Sequence, residues 1–193
     1  MNHPLKLIVG LGNPGPQYAH TRHNAGEDFV ESLARSFNVT LKHETKYFGR
    51  MGECLIGAQK IRLLVPETFM NRSGKSIAAL AGFYKIAPEN ILVAYDELDL
   101  DPGIAKLKFG GGHGGHNGIR DTIACLGNSR DFYRLRIGIG HPGSANLVTN
   151  YVLSKPSPDD SLSIGRATDE AIAVMPLACT GEWNEAMKRL HTK

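Results

Sequence analysis

Along the chain, unbroken apolar runs alternate with stretches in which apolar residues return every three or four positions. The runs at 5–9 and 91–95 are closed by Gly10 and Asp96 and predict strands buried on both faces. Residues 60–65 and 133–139 predict two more. Between them, Phe29, Val30, Leu33, Ala34 and Phe37, then Ile77, Leu80, Ala81 and Tyr84, are spaced to line one side of a helix. Strand alternating with helix implies a mostly parallel sheet with helices on both faces. The stretches 46–56 and 60–65, separated by Gly57-Ala58-Gln59, instead read as a hairpin, which makes the sheet mixed. Ser157-Pro158-Asp159-Asp160 opens a helix with a cap, an early proline and two acids at the positive end of the dipole. It is expected to run to about Cys179, with Pro176 as a place for a kink, before Thr180-Gly181 and a short amphipathic helix carrying Trp183, Ala186, Met187 and Leu190. The expected architecture is α/β: one domain over 1–193, built on a single twisted mixed β-sheet flanked by helices on both faces.

Composition narrows the setting. With 193 residues, 41% hydrophobic and 21% charged, the chain is ordinary for a water-soluble domain with an ample core. The apolar stretch at 7–11 is too short for a signal peptide or a membrane span, so we expect a cytoplasmic protein with no membrane partner. Cys54, Cys125 and Cys179 are odd in number, far apart and without C-x-x-C spacing, and are expected to be reduced core thiols. A formal net charge of +3 permits a polyanionic partner without requiring one.

The candidate chemistry gathers in loops. In the stretch from Phe109 to Gly118, six of ten residues are glycine, and His113, His116 and Asn117 are carried among them. Such glycine density weakens helix or strand interiors, so the segment is expected to be a loop held close to a site. Ligands of open α/β sheets bind beyond the carboxyl ends of the strands. There this sequence places Asn13, Tyr18 and His23 after the first strand, Phe69 and Asn71 after the run at 60–65, and Asp96 after the run at 91–95. If those strands are parallel, Asn13, His23, Asn71 and Asp96 share one end of the sheet and the glycine loop closes over it. His23 can serve as a base at neutral pH provided that a carboxylate fixes its tautomer, and Asp96 is the natural candidate. Glu97, Asp99 and Asp101 read as solvated loop acids. No G-x-S-x-G elbow is present, so a base acting on water is preferred to a covalent intermediate, with Asn13, Asn71 and Asn117 as amides for a carbonyl or oxyanion. The reaction class is ester or amide hydrolysis.

Two other readings of the glycines are set aside. Gly10-x-Gly12-x-x-Gly15 matches a dinucleotide fingerprint, but Pro14 and Pro16 remove amide donors and the first convincing helix begins some ten residues later, near Asn24-Ala25. His113 and His116 have no second ligand pair at matching spacing, although Asp99, Asp101 and His141 are conceivable; we expect no metal and no cofactor. Lys106 and Lys108 alternate along 105–109, as Arg134 and Arg136 do along 133–139. Such alternation marks a solvated outer face, and beside a hydrolytic site the same cations could grip nucleic acid phosphates.

Several long segments carry a resemblance to the bacterial peptidyl-tRNA hydrolase family. They are Leu7-Ile-Val-Gly-Leu-Gly-Asn13-Pro-Gly15, Thr21-Arg-His23-Asn-Ala-Gly26, Pro66-Glu-Thr-Phe69-Met-Asn71-Arg-Ser-Gly74, Tyr95-Asp96-Glu-Leu-Asp99, Gly110 to Gly118, and Arg134-Leu-Arg136-Ile-Gly-Ile-Gly-His-Pro-Gly143. They occur in the family's order, between residues 5 and 153. The resemblance implies cleavage of the ester between a peptide and the 3′-terminal ribose of tRNA, recycling tRNA from abandoned translation. It implies His23 as general base, Asp96 as its support, and Asn13 in telling blocked from free α-amino groups. It further implies that Asn71, Asn117 and His116 contact substrate or water, that Tyr18 and Phe69 contact substrate, and that Lys106, Lys108 and Arg136 clamp tRNA phosphate. The family is usually monomeric and metal-free. A non-catalytic RNA-binding protein on the same fold is the alternative.

Overall fold

Residues 2–192 are described by a computed structural model. Four parallel strands form the middle of its seven-stranded sheet: β1 (Leu7–Gly10), β4 (Gln59–Pro66), β5 (Ile91–Glu97) and β7 (Tyr133–Gly138). Antiparallel strands finish both edges: β3 (Gly49–Ile56) and β2 (Lys42–Glu44) beyond β4, and β6 (Ala105–Phe109) beyond β7, in the order β2-β3-β4-β1-β5-β7-β6. The sheet is mixed, as the apolar runs and the 57–59 turn implied.

Alternation along each strand divides the core in two. Ile8, Leu63, Leu92 and Leu135 pack with α1 (Ala25–Ser36), α5 (Pro158–Cys179) and α6 (Trp183–His191) through residues such as Phe29, Met175 and Trp183. Leu7, Val9, Leu64 and Val93 point the other way, into α2 (Ser73–Phe83) and α3 (Asn117–Cys125), where they meet Ile77, Leu80 and Ile119. Burial on both faces explains why β1 and β5 read as continuous apolar runs.

Close approach fixes how α1 lies on the sheet. A Cβ on Gly10 would stand 2.2 Å from the Gly26 carbonyl oxygen, and one on Gly26 would stand 2.1 Å from that of Ala94. Only glycine at both positions lets the start of α1 rest on β1 and β5, and that placement brings the residues before α1 to the carboxyl ends of the strands.

Several sequence expectations change. The three-residue β2 is polar and exposed enough to leave no apolar signal, and β3 begins at Gly49 because Thr45–Tyr47 form a 3-10 turn. α3 and α4 (Val148–Val152) are helices that the sequence reading does not predict; of their residues only Asn117 and Gly118 fall in the loop expected over 109–118. α5 does end at Cys179 as expected, with Pro176 inside it. Of the three cysteines expected in the core, only Cys179 is buried; Cys54 is half-buried and Cys125 exposed. Among the described residues no helix is long and apolar enough to cross a membrane.

Candidate active site

Register brings the carboxyl ends of the central strands together: Val9 lies beside Leu64 and Gly10 beside Ala94. The loops after β1, β4 and β5 therefore open on one edge of the sheet. At that edge is a cleft of about 520 Å³, lined by Asn13, His23, Phe69, Asn71, Asp96 and Asn117 among others.

Asp96, the next-to-last residue of β5 and only 4% exposed, forms the hub. His23 comes from the 3-10 turn Arg22–Asn24 that leads into α1, and its Nδ1 lies 3.0 and 2.9 Å from the two Asp96 oxygens. His116 meets one of the same oxygens, with Nε2 2.8 Å from Asp96 Oδ1. Its Nδ1 accepts the Gly118 and Ile119 amides at 3.1 and 3.3 Å and so caps α3. A nitrogen accepting two amides carries no proton, so the proton of neutral His116 is on Nε2, donated to Asp96. For His23 the same carboxylate holds the proton on Nδ1 and leaves the Nε2 lone pair free. The two rings are 4.9 Å apart between centroids.

Electrostatics follow from this geometry. Burial works against the charged form of His23, yet the Asp96 charge and hydrogen bond outweigh it, and the net effect raises the imidazole pKa above its ordinary value. For Asp96 burial also opposes ionisation, but His23 and His116 together hold the carboxyl well below the usual carboxylate range. Asp96 is thus an anion at neutral pH, and His23 is a base whose protonated form is stabilised.

Amides surround this centre. Asn24, fully buried, grips the Asn13 backbone with both ends of its side chain, accepting from Asn13 N–H at 2.8 Å and donating to Asn13 C=O at 3.0 Å. Asn13 Oδ1 accepts the Met70 amide at 2.7 Å, which leaves its NH₂ as the part able to meet a carbonyl oxygen. Asn71 and Asn117 are exposed in the cleft wall, and Asn117 Oδ1 accepts from Arg120 Nη1 at 2.9 Å. Phe69 is 56% exposed and meets Tyr18 edge-to-face at 6.3 Å, so Tyr18 extends an aromatic rim without lining the cleft itself.

Cations stand beside the cleft, not in it. Lys106 and Lys108 are exposed on β6, opposite Arg136 and Arg134 respectively. Arg136 pairs with Glu97 at 3.0 Å, and Glu97 lines the cleft; it is not the solvated loop acid expected. Arg134 departs further from expectation: it is 1% exposed, turned under the glycine-rich loop instead of toward solvent. His113 Nδ1 accepts the Gly115 amide at 2.9 Å. Sequence reasoning also missed the bracing by Asn24 and the cleft wall formed by Val148, Thr149 and Val152 of α4. The capping of α3 had one signal, the polar pair His116-Asn117 ahead of an apolar repeat.

The fold and site define an α/β protein with a histidine–carboxylate–histidine centre at the end of its sheet, equipped for acid–base chemistry at a carbonyl. The family model for peptidyl-tRNA hydrolase matches residues 7–193, and the chain belongs to that family of hydrolases. It is 60% identical over 187 residues to a peptidyl-tRNA hydrolase of Mannheimia succiniciproducens, covering 97% of this chain and 96% of the relative. To that of Vibrio parahaemolyticus it is 58% identical over 192 residues, covering 100% and 98%. The crystal structure of peptidyl-tRNA hydrolase from Acinetobacter baumannii superposes with a TM-score of 0.94 at 48% identity, covering 97% of this chain and 95% of that one.

Proposed function

We propose that this chain hydrolyses the ester joining a peptide to the 3′-terminal ribose of tRNA, with His23 as general base, acting as a monomer in the cytoplasm. The observation that carries the reading is the Asp96 carboxylate between two imidazoles, one of which, His23, keeps Nε2 free. His23 Nε2 takes a proton from water as the water oxygen attacks the ester carbonyl. Negative charge grows on the carbonyl oxygen, where the amides of Asn13, Asn71 and Asn117 act as donors. As the tetrahedral adduct collapses, the ribose 3′-oxygen leaves and takes the proton back from His23. Asp96 remains ionised throughout and stabilises the imidazolium formed between the two transfers.

Recognition divides between the two sides of the cleft. Asn13, braced by Asn24 and Met70, reads the amide next to the scissile ester, which is how blocked and free α-amino groups are told apart. Tyr18 and Phe69 offer rings to the substrate at one rim. Lys106, Lys108 and Arg136 face the phosphates at the other.

The test compares an N-acetyl-aminoacyl-tRNA with the same tRNA carrying a free amino group, using wild type and His23→Ala with chelator present. Cleavage of the blocked substrate alone, lost in the variant and indifferent to chelator, is expected. Binding of tRNA by wild type without cleavage would replace this reading with that of an RNA-binding module.

A further inference from the structure

Arg134 is a fully buried cation for which the hydrolytic reading above has no use. Its guanidinium donates to the Gly112 and Gly111 carbonyls at 2.5 and 2.6 Å and to that of Arg130 at 3.4 Å, and it lies 4.3 Å from the centre of the Phe132 ring. Its neighbours are thus carbonyl oxygens, the Phe132 ring and the Tyr95 hydroxyl, which hydrogen-bonds it, and not carboxylates, while Nε has no hydrogen-bond partner. Burying an arginine without a counter-ion is costly unless several dipoles are aimed at it. At 1% exposure it cannot reach a phosphate, unlike Lys108 opposite it in the strand register.

The bonds it makes are bonds the loop needs. Gly110, Gly111, Gly114 and Gly115 all have positive φ, and a segment so poor in side chains has little of its own to hold a shape. Lys108 closes the other side: its Nζ lies 2.8 Å from where a Gly111 Cβ would be. Four residues beyond Gly112, His116 caps α3 and meets Asp96, and Asn117 follows in the cleft. A planar guanidinium can hold two successive carbonyls at once, which an ammonium cannot do with fixed geometry.

We propose that Arg134 is a positioning residue: by pinning the Gly111 and Gly112 carbonyls from the sheet below, it sets where His116 and Asn117 stand relative to Asp96 and the substrate. The role rests on the hydrolytic reading above. Loss of the pin leaves the phosphate-facing lysines in place and loosens the groups that meet the reacting ester, so the cost falls on turnover and not on tRNA affinity.

The experiment measures kcat and KM on N-acetyl-aminoacyl-tRNA for wild type, Arg134→Gln and Arg134→Lys, with amide hydrogen exchange of the same proteins. Both variants are expected to lose about 10- to 100-fold in kcat, the scale of a misplaced reacting group, while KM stays within about twofold. Amides from 112 to 117 should exchange faster, while those of β1 and β5 keep their protection. Should Arg134→Gln fail to fold, Arg134→Lys, which retains the charge and the stem, decides alone. A raised KM with kcat intact would make Arg134 a phosphate ligand and overturn the proposal, as would unchanged turnover or unchanged loop exchange. Wild type that cleaves nothing would instead remove the hydrolytic reading, with the exchange comparison still testing the pin.

Discussion

His23 and His116 meet one carboxylate through different nitrogens, and that difference separates the proposed base from a brace. His116 spends Nδ1 on the cap of α3 and Nε2 on Asp96, so both of its nitrogens are engaged; His23 spends only Nδ1. Replacing His23 by alanine is expected to lower kcat by about 10² to 10⁴, the scale of a positioned general base, in single-turnover assays at saturating substrate. The pH profile follows from the raised His23 pKa: kcat/KM should fall on the acid side with a midpoint above about 6.5, since the base must be neutral. In Asp96→Asn the burial remains while the stabilising charge is gone, so the acid limb should move to lower pH as the plateau drops. An unmoved limb would detach it from His23. Stability has the opposite sign. The raised His23 pKa contributes stability fully below about pH 6.5 and loses it as pH rises through the folded value, whereas the depressed Asp96 pKa contributes above about 3.9 and is lost on acidification. The pair therefore stabilises the fold most where His23 is protonated and, on the proposed mechanism, inactive.

At the scale of elements, α1 combines very close packing with a crowded group of acids, Glu27, Asp28 and Glu31. Gly26→Ala would drive a methyl group into the Ala94 carbonyl at 2.1 Å, and we expect a loss of about 1–3 kcal/mol or more, read from the denaturant midpoint. Near the start of the same helix, burial first and then the Glu31 charge push Glu27 up to about 7, with Arg50 opposing. A carboxyl whose folded pKa is raised destabilises as it ionises, from about pH 4.3 upward. Glu27→Gln should accordingly raise Tm at pH 8 and leave it unchanged near pH 4; a lower Tm at pH 8 would show the carboxylate to be a stabilising partner. α1 was also the most legible element, because its apolar stripe and its start near Asn24-Ala25 both follow from local sequence. β1 and β5 were legible for the same reason. β2 and α4 were not, being three and five residues long with no period to read, and they owe their form to neighbours already in place. Of the site, the meeting of His23 with Asp96 followed from parallel strands ending together. The burial of Arg134 did not, because alternation along β7 reads the same whether the outer face meets water or a loop folded back over it.

Across the whole molecule, chemistry divides along the sheet: rings at Tyr18 and Phe69 follow β1 and β4, and cations at Lys106, Lys108 and Arg136 stand on β6 and β7. A net charge of only +3 gives weak steering, so affinity for a polyanion depends on where these few cations stand. If Lys106 meets one phosphate, Lys106→Ala should weaken tRNA binding and reduce the slope of log K against log salt by about 0.7–1, with kcat little changed. Arg136 is different because it also neutralises Glu97 at 3.0 Å. On the proposed clamp, its removal would delete one phosphate contact and leave a bare carboxylate in the cleft wall, facing the same polyanion. Arg136→Ala should therefore cost more affinity than Lys106→Ala at equal salt, and the double variant Arg136→Ala/Glu97→Gln should recover part of the difference in filter-binding titrations. Equal losses in the two single variants, with no recovery in the double, would mean that Glu97 does not meet the field of the bound tRNA, and that the cationic rim acts through number alone.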